Sequence, residues 1–253
     1  MPGSHRRFVG SALVLLVTLA VSTPAGAGGD AGGRTLSSKD AVLGVPTERV
    51  VRALAPTQGC QVLLDSGEGD CTVVRTAHGD IIVTVEIVTV EPGPVIDDVL
   101  VTRPWIVRVY RPSSAIPNGW EVALSTEPQG EDPGPLYAQV TAKVADVTSD
   151  GHDDVVLGYR SDGTGQILDF DVVGTDPDGT PRVLAHDQVY KGNVRTRGGR
   201  LVTYAPVYRR NDANCCATWI ERDNITFRDA EFHVRKVWKV PTKRADVPPS
   251  DIG

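Results

Sequence analysis

In the stretch DIIVTVEIVTV, Ile81, Val83, Val85 and Ile87 fall on one side of the chain and Thr84 and Glu86 on the other. That two-residue period predicts a strand with one face turned to a core. CQVLLD and CTVVRT bracket the turn-like DSGEGD just upstream, and DVLVTRPWIVRVYR follows the loop EPGPVID, with Pro104 marking an edge or a bend. Further on, Asp150-Gly151, Asp162-Gly163 and Asp178-Gly179 cut the chain at near-regular intervals. Asp-Gly favours the positive dihedrals of tight hairpins. The segments AQVTAKVADV, DVVLGYR, QILDFDVVG and PRVLAHDQVY therefore predict a four-strand antiparallel meander, with RLVTYAPVY, ATWIERDNITF and EFHVRKVWKV as later strands. One short helix is predicted at Thr47 to Leu54, where Thr47 can cap and Val50, Val51 and Leu54 share a face. The expected fold class is mainly β, antiparallel meanders in a blade-like sheet with one short N-terminal helix; α+β is the alternative overall description.

The chain opens with the marks of a secretory signal over residues 1–27. Arg6 and Arg7 precede the apolar SALVLLVTLAV, and TPAGA supplies a small-x-small cleavage site ending at Ala27. An uncleaved anchor is the competing reading, but the apolar run is short for a span. Residues 28–45 read as a flexible lead, and 46–130 as a β-rich region that includes the helix. Three prolines and two glycines in EPQGEDPGP mark residues 127–135 as either a domain boundary or a long surface loop. Residues 136–240 form the meander domain, and 241–253 read as a disordered tail.

The net charge of −6 becomes more negative once Arg6 and Arg7 are removed. It argues against nucleic-acid binding, which needs a basic footprint, and leaves carboxylates for a cation. No later segment reaches spanning length without charge, so no membrane span is expected after signal cleavage. Twenty arginines against six lysines point to a GC-rich bacterial genome. All four cysteines follow the signal, where disulfides persist. Cys60 and Cys71 flank a turn and suit a local bridge, stabilising by roughly 3 kcal/mol in the chain-entropy model. Cys215 and Cys216 would then form a vicinal pair; the other pairings join each of them to Cys60 or Cys71.

The stretch ADVTSDGHDDVVLG carries the main candidate chemistry. Calcium loops place oxygen ligands at alternate positions around a glycine. With Asp146 first, Thr148 is third, Asp150 fifth, Gly151 sixth, His152 seventh and Asp154 ninth. Leu157 occupies the twelfth position, where an EF-hand needs a bidentate Glu, so that motif is excluded. The spacing resembles the calcium-loop core of FG-GAP and VCBS-type repeats, the blade units of integrin-like propellers and bacterial surface proteins. The resemblance implies Asp146, Asp150 and Asp154 as side-chain ligands of one calcium and His152 as a backbone ligand. Thr148 stands where those repeats carry a carboxylate or amide. The competing reading is an Asx-type turn whose acids bond backbone amides. The motif occurs once, so a closed propeller ring is not expected.

A second resemblance spans residues 138–240, through ADVTSDG, ILDFDVVG, GGRLVTYAPVYRRNDANCC and RDNITFRDAEFHV. This order is similar to the LppP/LprE-like group of actinobacterial exported lipoproteins. Ala217 and Thr218 replace the Pro-Ser that follows the double cysteine there, and the lipobox cysteine is absent. The resemblance implies a secreted or envelope-associated module with no established catalysis and an envelope or protein partner of unknown identity.

No nucleophile elbow, H-E-x-x-H or phosphate loop occurs. His78 and His152 read as turn residues, and His186 and His233 as strand residues that pack. A Cys71/His78 pair with Asp80 is the one nucleophilic arrangement to test, and it needs a free thiol. Adjacent Cys215 and Cys216 lack the gap that lets two thiolates share one zinc, and read as a staple rather than a redox switch. Trp105, Tyr110, Trp219 and Trp238 read as core or sheet-face anchors, with a carbohydrate platform as the alternative. The expected function is a secreted, non-catalytic bacterial binding or structural module of unknown ligand. A secreted hydrolase or thiol-redox protein using Cys71/His78 or Cys215-Cys216 is the alternative.

Overall fold

Alternating apolar residues with turn chemistry between them produce strands in series. The computed structural model describes residues 33–46, 51–53, 60, 69–87, 105–117, 119–126, 137–161 and 166–242. All lie within the compact unit Ala31–Gly253. Its strands are β1 (Arg34–Leu36), β2 (Val51–Ala53), β3 (Gly69–Thr76), β4 (Gly79–Ile87), β5 (Trp105–Pro112), β6 (Gly119–Ser125) and β7 (Gln139–Ala145). They continue as β8 (Asp154–Arg160), β9 (Ile167–Thr175), β10 (Pro181–Tyr190), β11 (Asn193–Thr196), β12 (Leu201–Val207), β13 (Trp219–Arg228) and β14 (Glu231–Pro241).

They build three antiparallel sheets, ordered β2-β6-β5-β4-β3, β10-β9-β8-β7 and β1-β14-β13-β12-β11. Each contains four consecutive strands running up and down, so the blade-like unit recurs three times although the acidic motif occurs once. The middle sheet lies between the other two. Val155, Leu157 and Tyr159 of β8 share one core with Val83, Val107 and Leu124 of the first sheet. Val156, with Leu168, Phe170 and Val172 of β9, shares another with Leu201, Ile225 and Phe232 of the third. That is why every residue of β8 is buried. A strand covered on both faces gains from a continuous apolar run, which DVVLGYR provides. The first core also draws on both sides of residues 127–135, so that stretch does not divide two cores.

Several expectations change here. Val51–Ala53, expected in a helix, pair as a strand with Gly119–Glu121; residues 47–50 and 54 lie outside the described residues. β-branched valine and an available edge of β6 favour the extended form over one marginal helical turn. The segment read as a flexible lead instead crosses all three layers. Arg34–Leu36 pair with β14, Ser37 bridges His186 of β10, and Gly44 exchanges two backbone bonds with Ser125 of β6. Leu36 and Leu43 plug the two cores, one each. Backbone pairing, which composition does not reveal, fixes this strap. At the other end the strand extends through Pro241, and Thr242 donates to the Thr218 carbonyl at 3.0 Å. The signal, residues 28–32 of the lead and residues 243–253 of the tail lie outside the described residues.

Candidate functional site

The acidic loop joins β7 to β8, and its carboxylates turn inward on the loop's own backbone. Asp146 accepts the amides of Asp150 and Gly151 at 3.2 and 3.0 Å, one on each oxygen. Asp150 Oδ1 accepts the His152 amide at 2.8 Å. Asp154 Oδ2 accepts three bonds, from the Val147 amide (3.0 Å), the Thr148 amide (2.9 Å) and the Thr148 hydroxyl (2.9 Å). Thr148, at the position that departs from the repeat pattern, thus serves as a donor to the carboxylate at the loop's far end. Ser149 (φ 62°) and Gly151 (φ 87°) take the left-handed conformation that closes the turn.

The loop also touches both outer sheets. The Asp153 amide donates to the Arg75 carbonyl of β3 at 3.0 Å, and the Ser149 hydroxyl to the Gly199 carbonyl between β11 and β12 at 3.3 Å. Beside it lies a cavity of about 100 Å³ bounded by Asp150, Asp153, Asp154, Thr76, Arg182 and Phe227, among others. Asp154 is buried, and desolvation pushes its pKa up despite the bonds from Thr148 and Val147; the charge of Asp150 pushes in the same direction. Gly174 of β9 leaves room for it, since a Cβ there would stand 3.0 Å from Asp154 Oδ1. Among the described residues no three acidic, histidine or cysteine side chains gather within reach of one metal ion. As arranged, Asp146, Asp150 and Asp154 bond backbone amides in the manner of an Asx-type turn.

The predicted nucleophilic pair is not brought together. Cys71 is bonded to Cys60 near the start of β3, whereas His78 is exposed in the turn after β3. At about 3.3 Å per residue, the strand between them holds them more than 15 Å apart. Asp80 follows that turn at the head of β4 and is exposed. Cys215 is bonded to Cys216, and no described cysteine is free. Tyr110 is fully buried, and Trp105, Trp219 and Trp238 are half-buried on strands.

A polar cluster that sequence reasoning missed lies between the first two sheets. His186 Nδ1 and Asp171 Oδ1 are 2.8 Å apart, with Asp171 fully buried. Asp171 also accepts the strap amides of Val42 (3.3 Å) and Leu43 (2.9 Å). Burial and the charge of Asp171 hold the buried Tyr159 hydroxyl un-ionised nearby. The only sequence signal was a pair of aspartates, Asp169 and Asp171, on one face of an apolar strand.

Comparison with protein-family models, curated proteins and solved structures gives no match. The reading of this chain therefore stands on its own residues.

Proposed function

We propose that this chain is an exported β module with no catalytic centre, acting outside the cytoplasm as a binding or structural unit. Its acidic loop is a latch that joins the edges of three sheets. The observation that carries this reading is where the acids go. Asp146, Asp150, Asp154, Asp171 and Glu86 all hold turns or strands through hydrogen bonds. A carboxylate so engaged is poorly placed to move protons on a substrate. The two closed cystines support export, because disulfides persist in oxidising compartments.

The full chain expressed in a bacterial host tests the reading. The expected product is an exported protein beginning at Gly28, with no titratable thiol and no turnover of ester, peptide or glycoside probes. Cytoplasmic retention with Met1 and reduced cysteines overturns export, and saturable turnover overturns the absence of catalysis.

A calcium-binding role for the same loop is a second reading, favoured by Asp154. That buried carboxylate takes all its bonds on one oxygen and lines a cavity with Asp150 and Asp153. A hard divalent cation would relieve the repulsion between these acids, and Asp146, Asp150 and Asp154 with the His152 carbonyl would hold it. Calorimetry against calcium decides: heat lost in Asp150→Ala supports the reading, and no heat at millimolar calcium ends it.

A further inference from the structure

We propose that the Cys215–Cys216 bridge is a site of thiol–disulfide exchange, whose reduction by a low-molecular-weight thiol releases the β12–β13 loop from its seat on Lys191.

The two cystines occupy opposite environments. Cys60 and Cys71 are 11 residues apart and half-buried, packed beside the cluster of Ile82, Tyr110 and Val122. Cys215 and Cys216 are neighbours, both exposed, in the loop between β12 and β13. A bridge between adjacent residues closes no chain segment beyond its own ring, so it removes almost no conformational entropy from the unfolded chain. It is not the staple that its sequence first predicts. It joins no two strands, and it stands where a thiol can reach it.

The charge around it favours exchange. Lys191, at the turn between β10 and β11, donates from Nζ to the carbonyl of Asn214 at 2.8 Å, directly before Cys215. The same ammonium lies 5.6 Å from the ring centroids of both Tyr190 and Tyr208, which fix its position. Arg209 of the same loop stacks over Trp219 at the start of β13. The one acid of residues 208–218, Asp212, is occupied by the Arg209 amide, the Thr218 amide and the Thr218 hydroxyl. A cation held on the residue next to a cystine lowers the cost of the leaving thiolate.

In the first step an external thiolate attacks one sulfur of the pair. The Cys215–Cys216 bond breaks, its electron pair leaves on the other sulfur, and a mixed disulfide forms. A second thiolate then attacks the external sulfur of that mixed disulfide and displaces the protein thiolate. In total, two thiols are oxidised to one disulfide and the protein bridge is reduced to two thiols. With the ring open, the backbone at 215–216 is freer, and the Asn214 carbonyl loses its fixed approach to Lys191 and to the Tyr208 hydroxyl, 3.0 Å away.

The test uses the intact exported chain, equilibrated with graded glutathione, alkylated rapidly and mapped by peptide mass spectrometry. Cys215 and Cys216 are expected to label at roughly tenfold lower glutathione than Cys60 and Cys71. Lys191→Met should slow labelling at 215 and 216 about threefold or more, and Lys191→Arg should restore it. Hydrogen exchange should rise over residues 208–218 on reduction, and to the same level in the folded double variant Cys215→Ser/Cys216→Ser. The proposal is overturned if both cystines open together, if Lys191→Met labels at the native rate, or if loop exchange is unchanged by reduction.

Discussion

His186 of β10 faces Asp171 of β9 across the sheet, and the contact depends on a bulge. Between Val183 and Ala185 the register shifts by one residue, so Leu184 has no partner and His186 pairs with Asp171. Without the bulge His186 would face the third sheet, because a one-residue slip moves every side chain to the other face. The shared carboxylate then ties the imidazole and the strap amides of Val42 and Leu43 into one point.

That point should make stability depend on pH. The hydrogen bond to Asp171 raises the His186 pKa above its ordinary 6.5, against the opposing effect of burial, and the charges of Asp171, Asp169 and Asp187 add to the rise. A raised folded value means that the contribution is complete below the unfolded pKa and is lost as pH rises through the folded one. Calorimetric midpoints should therefore decline from pH 6 upward more steeply in the native protein than in His186→Gln. Parallel curves would remove this role. Near pH 6, His186→Ala should cost about 3 kcal/mol, since it leaves a buried carboxylate without its cation.

Asp154 pushes stability in the same direction but in a lower pH window, above its ordinary 3.8. Its pKa is raised by burial, so ionising it is harder in the fold than in the unfolded chain. Stability from this group is greatest at low pH and declines as pH rises through its unfolded and then its folded value. Asp154→Asn removes that charge and keeps a carbonyl acceptor; Asp154→Ala strands the Val147 and Thr148 amides. Urea unfolding near neutral pH should show Ala worse than Asn by about 1–2 kcal/mol. Equal midpoints for the two variants would show that the three bonds to Asp154 do not hold the loop.

Gly192, between β10 and β11, should tolerate no side chain. A Cβ there would collide with the Val189 side chain and with the backbone carbonyl of Tyr204. Since the carbonyl belongs to β12, which pairs with β11 and β13, it cannot retreat cheaply. Gly192→Ala is expected to lose about 2–3 kcal/mol by thermal denaturation. Gly198→Ala, with nothing within 4 Å but a φ of 55°, should lose only about 1 kcal/mol.

The two cystines should differ in stability as they do in setting. Serine at both Cys60 and Cys71 is expected to cost about 3 kcal/mol in urea, whereas serine at both Cys215 and Cys216 should change the midpoint by less than about 0.5 kcal/mol. A large loss in the second variant would mark the vicinal bridge as structural.

How much of this was legible depends on what each pattern can encode. The meander of 139–190 was readable because Asp-Gly turns and apolar runs are local signals, and Gly151 and Gly179 take the positive φ those turns need. Thr84 and Glu86 were assigned correctly to the face opposite Val83 and Val85, yet that face is buried too, because Arg108 of β5 meets Glu86 at 2.7 Å. Asp171 and His186 are 15 residues apart, and their meeting needs a bulge that no residue type announces. In the acidic loop the turn is legible and the partners stay open: spacing places Asp146, Asp150 and Asp154 around it, but the same oxygens suit amides and cations alike. The strap was misread because glycine and serine signal flexibility, while its order comes from partners in three distant sheets.

The strap also imposes an order of assembly. Arg34 pairs with Val234, and Leu36 with Phe232, so among the described residues the earliest strand has its one sheet partner in the last hairpin. Pairings between such remote positions form slowly, because the intervening chain must be arranged first. A chain threaded through a membrane amino end first would deliver β1 long before β14 emerged. The first strand across would be among the last to settle, and the core between the second and third sheets would stay unplugged at Leu36 until synthesis and transit were complete.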